Sequence, residues 1–374
     1  MRREAESSWE SMLARTMLLL ILSAALLPNR ASAEEDPARA SRQIDAQYET
    51  RSAWNPLDWQ WVPTQEELQK YRRSWNPFSH GPILHTAVDV QPKGQSLLRP
   101  FLFTQIGENK FDNRFQFITD RKPSNVHLYS ALHPSLEFAY GVTDHIQFAA
   151  TSSAQSFWAR EQGQMRSDTG LGDTAIALKY RPIVQDPGSL QPSLTFLSQF
   201  ALPTGKWLGT EKPPGGFAPI GRLPVTRFGE IAFTEGAMIR KNLQPFRIQA
   251  GVFYTYSAPG AEGRETTYTG DLINTRVALE YIADDATGLG YGLELVTLHG
   301  LTWRADGHAI NRGGTSGFSY VGVEPTLQWR FGDSNFVGAA GVLLPVAGQN
   351  TLAGIFPNLS VFYYWSETGK VLMR

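Results

Sequence analysis

Residues 246–257 read Phe246-Arg247-Ile248-Gln249-Ala250-Gly251-Val252-Phe253-Tyr254-Thr255-Tyr256-Ser257. Phe246, Ile248, Ala250, Val252, Tyr254 and Tyr256 fall on one parity; Arg247, Gln249, Gly251, Phe253, Thr255 and Ser257 fall on the other. Successive side chains of a strand point to opposite faces, so this segment has one apolar face and one more polar face. The same pattern recurs. Leu194, Phe196, Ser198, Phe200 and Leu202 alternate with Ser193, Thr195, Leu197, Gln199 and Ala201. Val321, Val323, Pro325, Leu327, Trp329 and Phe331 alternate with Gly322, Glu324, Thr326, Gln328 and Arg330.

Working outward, the pattern gives twelve candidate strands: 97–106, 126–139, 145–154, 171–183, 193–203, 227–240, 246–258, 271–283, 289–304, 316–331, 335–346 and 355–366. The even-numbered connections are tight and rich in turn residues, as in Gly141-Val142-Thr143-Asp144, Asn242-Leu243-Gln244-Pro245 and Gly332-Asp333-Ser334. Most odd-numbered ones are longer. The longest, near 205–226, carries several Pro and Gly together with Lys206, Lys212 and Arg222. A soluble sandwich has no reason to alternate loop lengths in this way, whereas outer-membrane barrels have short periplasmic turns and longer external loops. The expected fold is therefore all-β: a transmembrane antiparallel barrel of about 12 strands, its apolar parity toward lipid. Tyr254, Tyr256, Tyr281, Trp303, Trp329, Phe331, Tyr363 and Trp365 lie near strand ends on apolar parities, where aromatic girdles belong.

The bulk properties agree. A mean hydropathy of -0.27 would be too polar for helical spans, but a barrel shows only alternate residues to lipid. Past residue 33 no apolar run is long enough for a membrane helix. A formal net charge of -1 gives no basic excess for nucleic acid. With no cysteine there is neither a disulfide framework nor thiolate chemistry.

Residues 1–33 read as a signal peptide. Met17 to Leu27 is a short apolar stretch, and Ala31-Ser32-Ala33 forms a small-x-small cleavage site before Glu34. Glu4, Glu6 and Glu10 are out of place in a basic leader region, and a start at Met12 leaves Ala14-Arg15 as a cleaner one. Residues 34–95 form an N-terminal extension with Trp54, Trp59, Trp61 and Trp75. It carries one short helix from Thr64, capped with the help of Glu67, to about Ser74. Two placements follow: a periplasmic extension whose indoles rest on the barrel rim, or a plug entering the lumen. The first is preferred, because a polar lumen suits four indoles poorly. Residues 96–366 are the barrel and 367–374 a tail.

Charges inside strands must face inward, since a basic residue at the lipid midplane costs about 2–4 kcal/mol. The lumen-facing candidates are Glu137, Asp173, Lys179, Glu230, Arg247, Arg276, Glu280, Glu294, Glu324 and Arg330. Both signs are present, so ion pairs across the lumen are expected. Apolar residues Leu197, Phe253, Ile282 and Phe362 interrupt the same parity. No HExxH or GxSxG motif occurs, and no phosphate loop, since no Lys-Ser/Thr follows Gly170-Leu171-Gly172-Asp173. No enzyme, metal or cofactor is expected. The one hydrolase weighed is an outer-membrane lipid hydrolase, with His127, His133 or His299 beside a serine on a neighbouring strand.

GLGDTAIALKYRP, residues 170–182, resembles the GxGD…KYR strand of the outer-membrane transporters grouped with a phenol-degradation (meta-pathway) barrel protein, and Tyr140-Gly141-Val142-Thr143-Asp144-His145 resembles their YG-V-T-D turn. The resemblance spans roughly residues 95–366. The tail after Trp365 and the tryptophan-rich extension depart from it. It implies outer-membrane location and passive passage of small hydrophobic or aromatic compounds through a narrow lumen. The expected partners are outer-membrane lipid, the barrel-assembly machinery and a small apolar solute, with no nucleic acid. The competing expectation is a non-transporting barrel with a structural or surface-binding role.

Overall fold

The computed structural model describes residues 81–366 apart from 85–86, 162, 186–190, 205–230, 259, 263–264, 269, 285–287, 303, 306–307, 310–316 and 333. The signal peptide, the Trp-rich stretch with its expected helix, Trp303, Glu230, the longest connection (205–226) and the C-terminal tail lie outside these residues. The described residues form a closed 12-strand antiparallel barrel. The strands are β1 (Gln95–Phe111), β2 (Lys122–Gly141), β3 (Ile146–Glu161), β4 (Thr174–Ile183), β5 (Ser193–Leu202), β6 (Ala232–Leu243), β7 (Phe246–Ser257), β8 (Leu272–Asp284), β9 (Leu289–Gly300), β10 (Phe318–Arg330), β11 (Phe336–Gln349) and β12 (Phe356–Ser366). Each pairs with its successor, and β1 closes on β12 from Gln95↔Ser366 to Phe103↔Asn358. Closure leaves no free sheet edge, as a membrane-spanning sheet requires.

Side-chain parity follows the sequence. Leu136, Phe196, Val252, Leu279, Leu293 and Leu327 are exposed on the outside, and alternate residues are buried inside. Both chain ends of the barrel and the tight connections lie at one end, the turn end. Around its outer rim Phe336 stacks on Tyr363 with centroids 4.5 Å apart, Tyr363 on Trp365 at 5.6 Å, and Phe246 lies 5.5 Å from Tyr281. At the opposite, loop end, Phe200 meets Phe233 at 4.8 Å and Tyr129 meets Trp158 at 4.9 Å. These are the two girdles expected where an apolar band meets water.

Two local expectations need correction. The third connection is not a long loop: residues Gln164–Leu171 form a strand that pairs with the outer half of β3, so the hairpin continues past the membrane band. Gly172-Asp173 is an interruption within one long strand, between Gln164–Leu171 and β4. There the Gly172 N–H donates to Ser153 O (2.7 Å), and the approach is close enough that a Cβ on residue 172 would collide with the Ser153 hydroxyl. β1 also runs further than expected, to Phe111.

The rim placement concerned the Trp-rich stretch, which lies outside the described residues; the described end of the extension enters the barrel. Residues 81–84 and 87–92 lie in the turn-end half of the lumen, buried except for the half-buried Leu84. The chain then leaves the lumen through Pro92-Lys93-Gly94. Gly94 has φ 76°, a value that favours glycine, and its N–H donates to Gly141 O at 2.9 Å. Gly141 ends β2 against the carbonyls of Gln91 and Pro92, leaving no space for a Cβ.

Candidate functional site in the barrel lumen

The lumen has two sectors, and the plug segment touches both. On the side of β3 to β7 the lining is cationic and amide-rich. Lys179 Nζ donates to the carbonyls of Ala87 (2.8 Å) and Asp89 (3.4 Å). Thr195 Oγ1 donates to Val88 O (2.5 Å). The Gln91 N–H donates to Gln147 Oε1 (2.8 Å), and the Val88 N–H to Gln249 Oε1 (3.4 Å). The buried Asp89 carboxylate lies between Arg181 of β4, 2.7 Å from its Nη1, and Arg240 of β6. Arg181 is itself fixed, since its Nη2 donates to Asp144 O at 3.1 Å. Val88 packs on Leu197, Met238 and Phe253.

On the side of β8 to β12 and β1 the lining carries charges of both signs and is more apolar. Glu294 accepts the N–H groups of Ile83 (2.5 Å) and Leu84 (3.2 Å), and Arg99 Nη2 donates to Ile83 O (2.6 Å). Arg99 pairs with Glu137 at 3.4 Å. Beyond the plug, toward the loop end, Phe103, Val296, Leu298, Tyr320, Leu343 and Phe356 form an inward apolar cluster against which Leu84 packs. Phe103 and Phe356 stack with centroids 5.3 Å apart.

The sequence-derived candidates divide as follows. Asp173, Lys179, Arg247, Glu280, Glu294, Glu324 and Arg330 are buried on the inward face, and Glu137 and Arg276 are partly buried there. Glu230 is outside the described residues. Arg247 and Glu280 form a buried pair at 2.6 and 3.0 Å, and Gln249 (3.1 Å) and Gln328 (2.7 Å) also donate to Glu280. Glu294 and Glu324 face each other across the β9–β10 ladder, and Asn358 Nδ2 donates to Glu324. Arg330 Nε donates to Ser334 O (2.7 Å) at the turn end. The inward apolar residues Leu197, Phe253, Ile282 and Phe362 are all buried inside.

Sequence reading missed Asp89, Arg99, Arg181 and Arg240. Arg181 shares the parity of Lys179 and Arg240 that of Met238, so extending parity to the strand ends would have found both. Arg99 is hidden because β1 is apolar on both faces, with Leu97, Phe101 and Phe103 inward and Leu98, Leu102 and Ile106 outward. Nothing marks Asp89 in an irregular segment.

No family model matches the chain, and no curated protein matches it in sequence. Among solved structures the fold is similar to that of the COG4313 outer membrane channel from Pseudomonas putida F1, at 12% identity and a TM-score of 0.60, covering 76% of this chain and 100% of that one. The translocator domain of the autotransporter NalP from Neisseria meningitidis aligns at 9% identity with a TM-score of 0.40, covering 74% and 90%. A Pseudomonas aeruginosa FadL homologue aligns at 11% with a TM-score of 0.36, covering 72% and 90%. The closed barrel, its lipid-facing band and its girdles are those of a bacterial outer-membrane protein.

Proposed function

We propose that the chain is a passive outer-membrane channel for a small, rather apolar compound, and that residues 81–92 narrow its turn-end half. The observation that carries this reading is the lining. Inward apolar clusters around Phe103, Leu298 and Phe356 and around Leu197, Met238 and Phe253 stand beside buried charges. A water-filled pore for salt has little use for such walls, because apolar stretches raise the barrier to ions. They suit a solute that is part apolar and part polar. Aromatic compounds of the kind handled in phenol degradation fit this description. Outer-membrane lipid and the barrel-assembly machinery are proposed as partners. The test is efflux from liposomes holding the protein, measured in parallel for small ions, sugars and aromatic compounds, with full-length protein and with residues 34–92 removed. Passage of aromatic solutes ahead of sugars is expected. If nothing crosses in either form, the barrel is a structural or surface-binding one.

One contact favours a second reading, lipid hydrolysis. His299 of β9 and Ser319 of β10 sit opposite each other near the loop end, with Nδ1 and Oγ 2.8 Å apart, outside the lumen. A hydroxyl beside an imidazole is the minimum for a serine nucleophile. Fatty-acid release from phospholipid vesicles that is lost on Ser319→Ala would favour this reading over the channel.

A further inference from the structure

The way the lumen wall holds Val88-Asp89 has the form of a ligand site occupied by the protein's own chain. Asp89 is a buried carboxylate reached from two strands by guanidinium groups, Arg181 at 2.7 Å and Arg240. Lys179 stands beside them, 3.4 Å from the Asp89 carbonyl. All three cations are buried or nearly so, and Arg181 is oriented by the turn carbonyl of Asp144. Immediately next to this cationic focus, Val88 fills an apolar niche of Leu197, Met238 and Phe253. The niche exists because Gly236 lets the Phe253 ring lie against the wall, where any Cβ would collide with it. An apolar group and a carboxylate, one residue apart, thus occupy an apolar pocket and an arginine clamp set side by side. Guanidinium groups recognise carboxylates by charge-assisted hydrogen bonds, which are strong where water is excluded.

Resting on the channel reading, we propose that this clamp is the carboxylate subsite of the lumen, that Val88-Asp89 occupies it in the resting state, and that the solute is a small apolar carboxylate. Such a solute places its ring or alkyl group where Val88 sits and its carboxylate where Asp89 sits. It competes with the plug, and by releasing Asp89 it loosens the segment that obstructs the turn-end half. The exchange is one carboxylate for another, with no net change in charge at the clamp.

The probe is benzoate, with benzyl alcohol and benzylamine as neutral and cationic counterparts of similar size. On full-length protein, hydrogen exchange at residues 87–91 should rise with benzoate and stay unchanged with the other two. Asp89→Asn removes the internal competitor and should tighten benzoate binding, by calorimetry in detergent, at least tenfold. Arg181→Gln with Arg240→Gln should abolish it. The exchange measurement needs no variant, so misfolding of either protein leaves the proposal open to refutation. Equal effects of benzoate and benzyl alcohol, or unchanged benzoate affinity in Asp89→Asn, would overturn it. If neutral aromatics cross liposomes while benzoate leaves exchange at 87–91 unchanged, this inference fails and the channel reading stands. If benzoate raises that exchange but no solute crosses even with Asp89→Asn, the channel reading fails and the subsite stands.

Discussion

Arg247→Met tests whether the charged lining is structural. Arg247 and Glu280 are each 1% exposed, and the guanidinium makes two bonds to the carboxylate, at 2.6 and 3.0 Å. Removing one partner of a buried pair leaves the other charge uncompensated, at a cost of about 3–5 kcal/mol. Here Glu280 would keep the amide donors of Gln249 at 3.1 Å and Gln328 at 2.7 Å. Those bonds place the expected loss near the low end, about 3 kcal/mol. Adding Glu280→Gln removes the stranded charge; its one oxygen accepts from one of the two amides and its NH2 donates to the other once that amide turns its oxygen inward, so the double variant should lose only about 1 kcal/mol relative to the parent. Urea unfolding of the barrel in phospholipid vesicles, followed by tryptophan fluorescence and extrapolated to water, gives these differences. A loss below about 1 kcal/mol for Arg247→Met, or a double variant as unstable as the sum of the singles, would refute a dry, uncompensated pair.

Three further outcomes are expected. Gly141→Ala puts a methyl group into the carbonyls of Gln91 and Pro92 and should unseat the turn that returns the plug to the wall, raising single-channel conductance while all lumen charges stay in place. Leu279→Arg, on the lipid face near the middle of β8, should destabilise the barrel by about 2–4 kcal/mol in the same urea assay, and a neutral result would mean this face does not meet lipid. Protease added to intact cells should cut after Lys206 or Arg222; protection there, with cutting near Asp186, would invert the barrel in its membrane.

The barrel was legible because it rests on period-two patterning and on loop length, both of which are local. β7 and β10 run as their alternation dictates, with Arg247, Gln249, Glu324 and Gln328 inward and Val252, Tyr254 and Leu327 outward. The Gln164–Leu171 strand was not legible, because beyond the membrane neither face needs to be apolar and the alternation fades. The lumen site was half legible. Parity identified Lys179 and Glu294 as inward, but their partners in the plug are backbone groups of Ile83, Leu84, Ala87 and Asp89, 90 or more residues away in sequence. Backbone carbonyls and N–H groups have no sequence signature. The indoles of Trp54 to Trp75 suit a rim, whereas the residues found in the lumen are 81–84 and 87–92, none of them tryptophan.

Glu294 shows how wall and plug depend on each other. Its cross-strand neighbour on the inner face is Glu324, and like charges directly opposite in a ladder are unfavourable. The wall relieves Glu324, which receives Asn358. Arg276 lies diagonally across from Glu294, since Ala278 pairs with Glu294 and Arg276 with Val296. The N–H groups of Ile83 and Leu84 add two donors that only the plug supplies. Glu294 is therefore placed for the plug rather than for the sheet. Glu294→Gln removes the repulsion and exchanges two charge-assisted bonds for neutral ones. Hydrogen bonds to charged groups contribute about 1.5–3 kcal/mol against about 1 for neutral ones, so exchange at the Ile83 and Leu84 amides should rise roughly tenfold. The urea midpoint of the barrel should hold or increase. A lower midpoint with unchanged exchange at residues 83–84 would show that Glu294 serves the wall alone, and the plug would then be held by its Asp89 end.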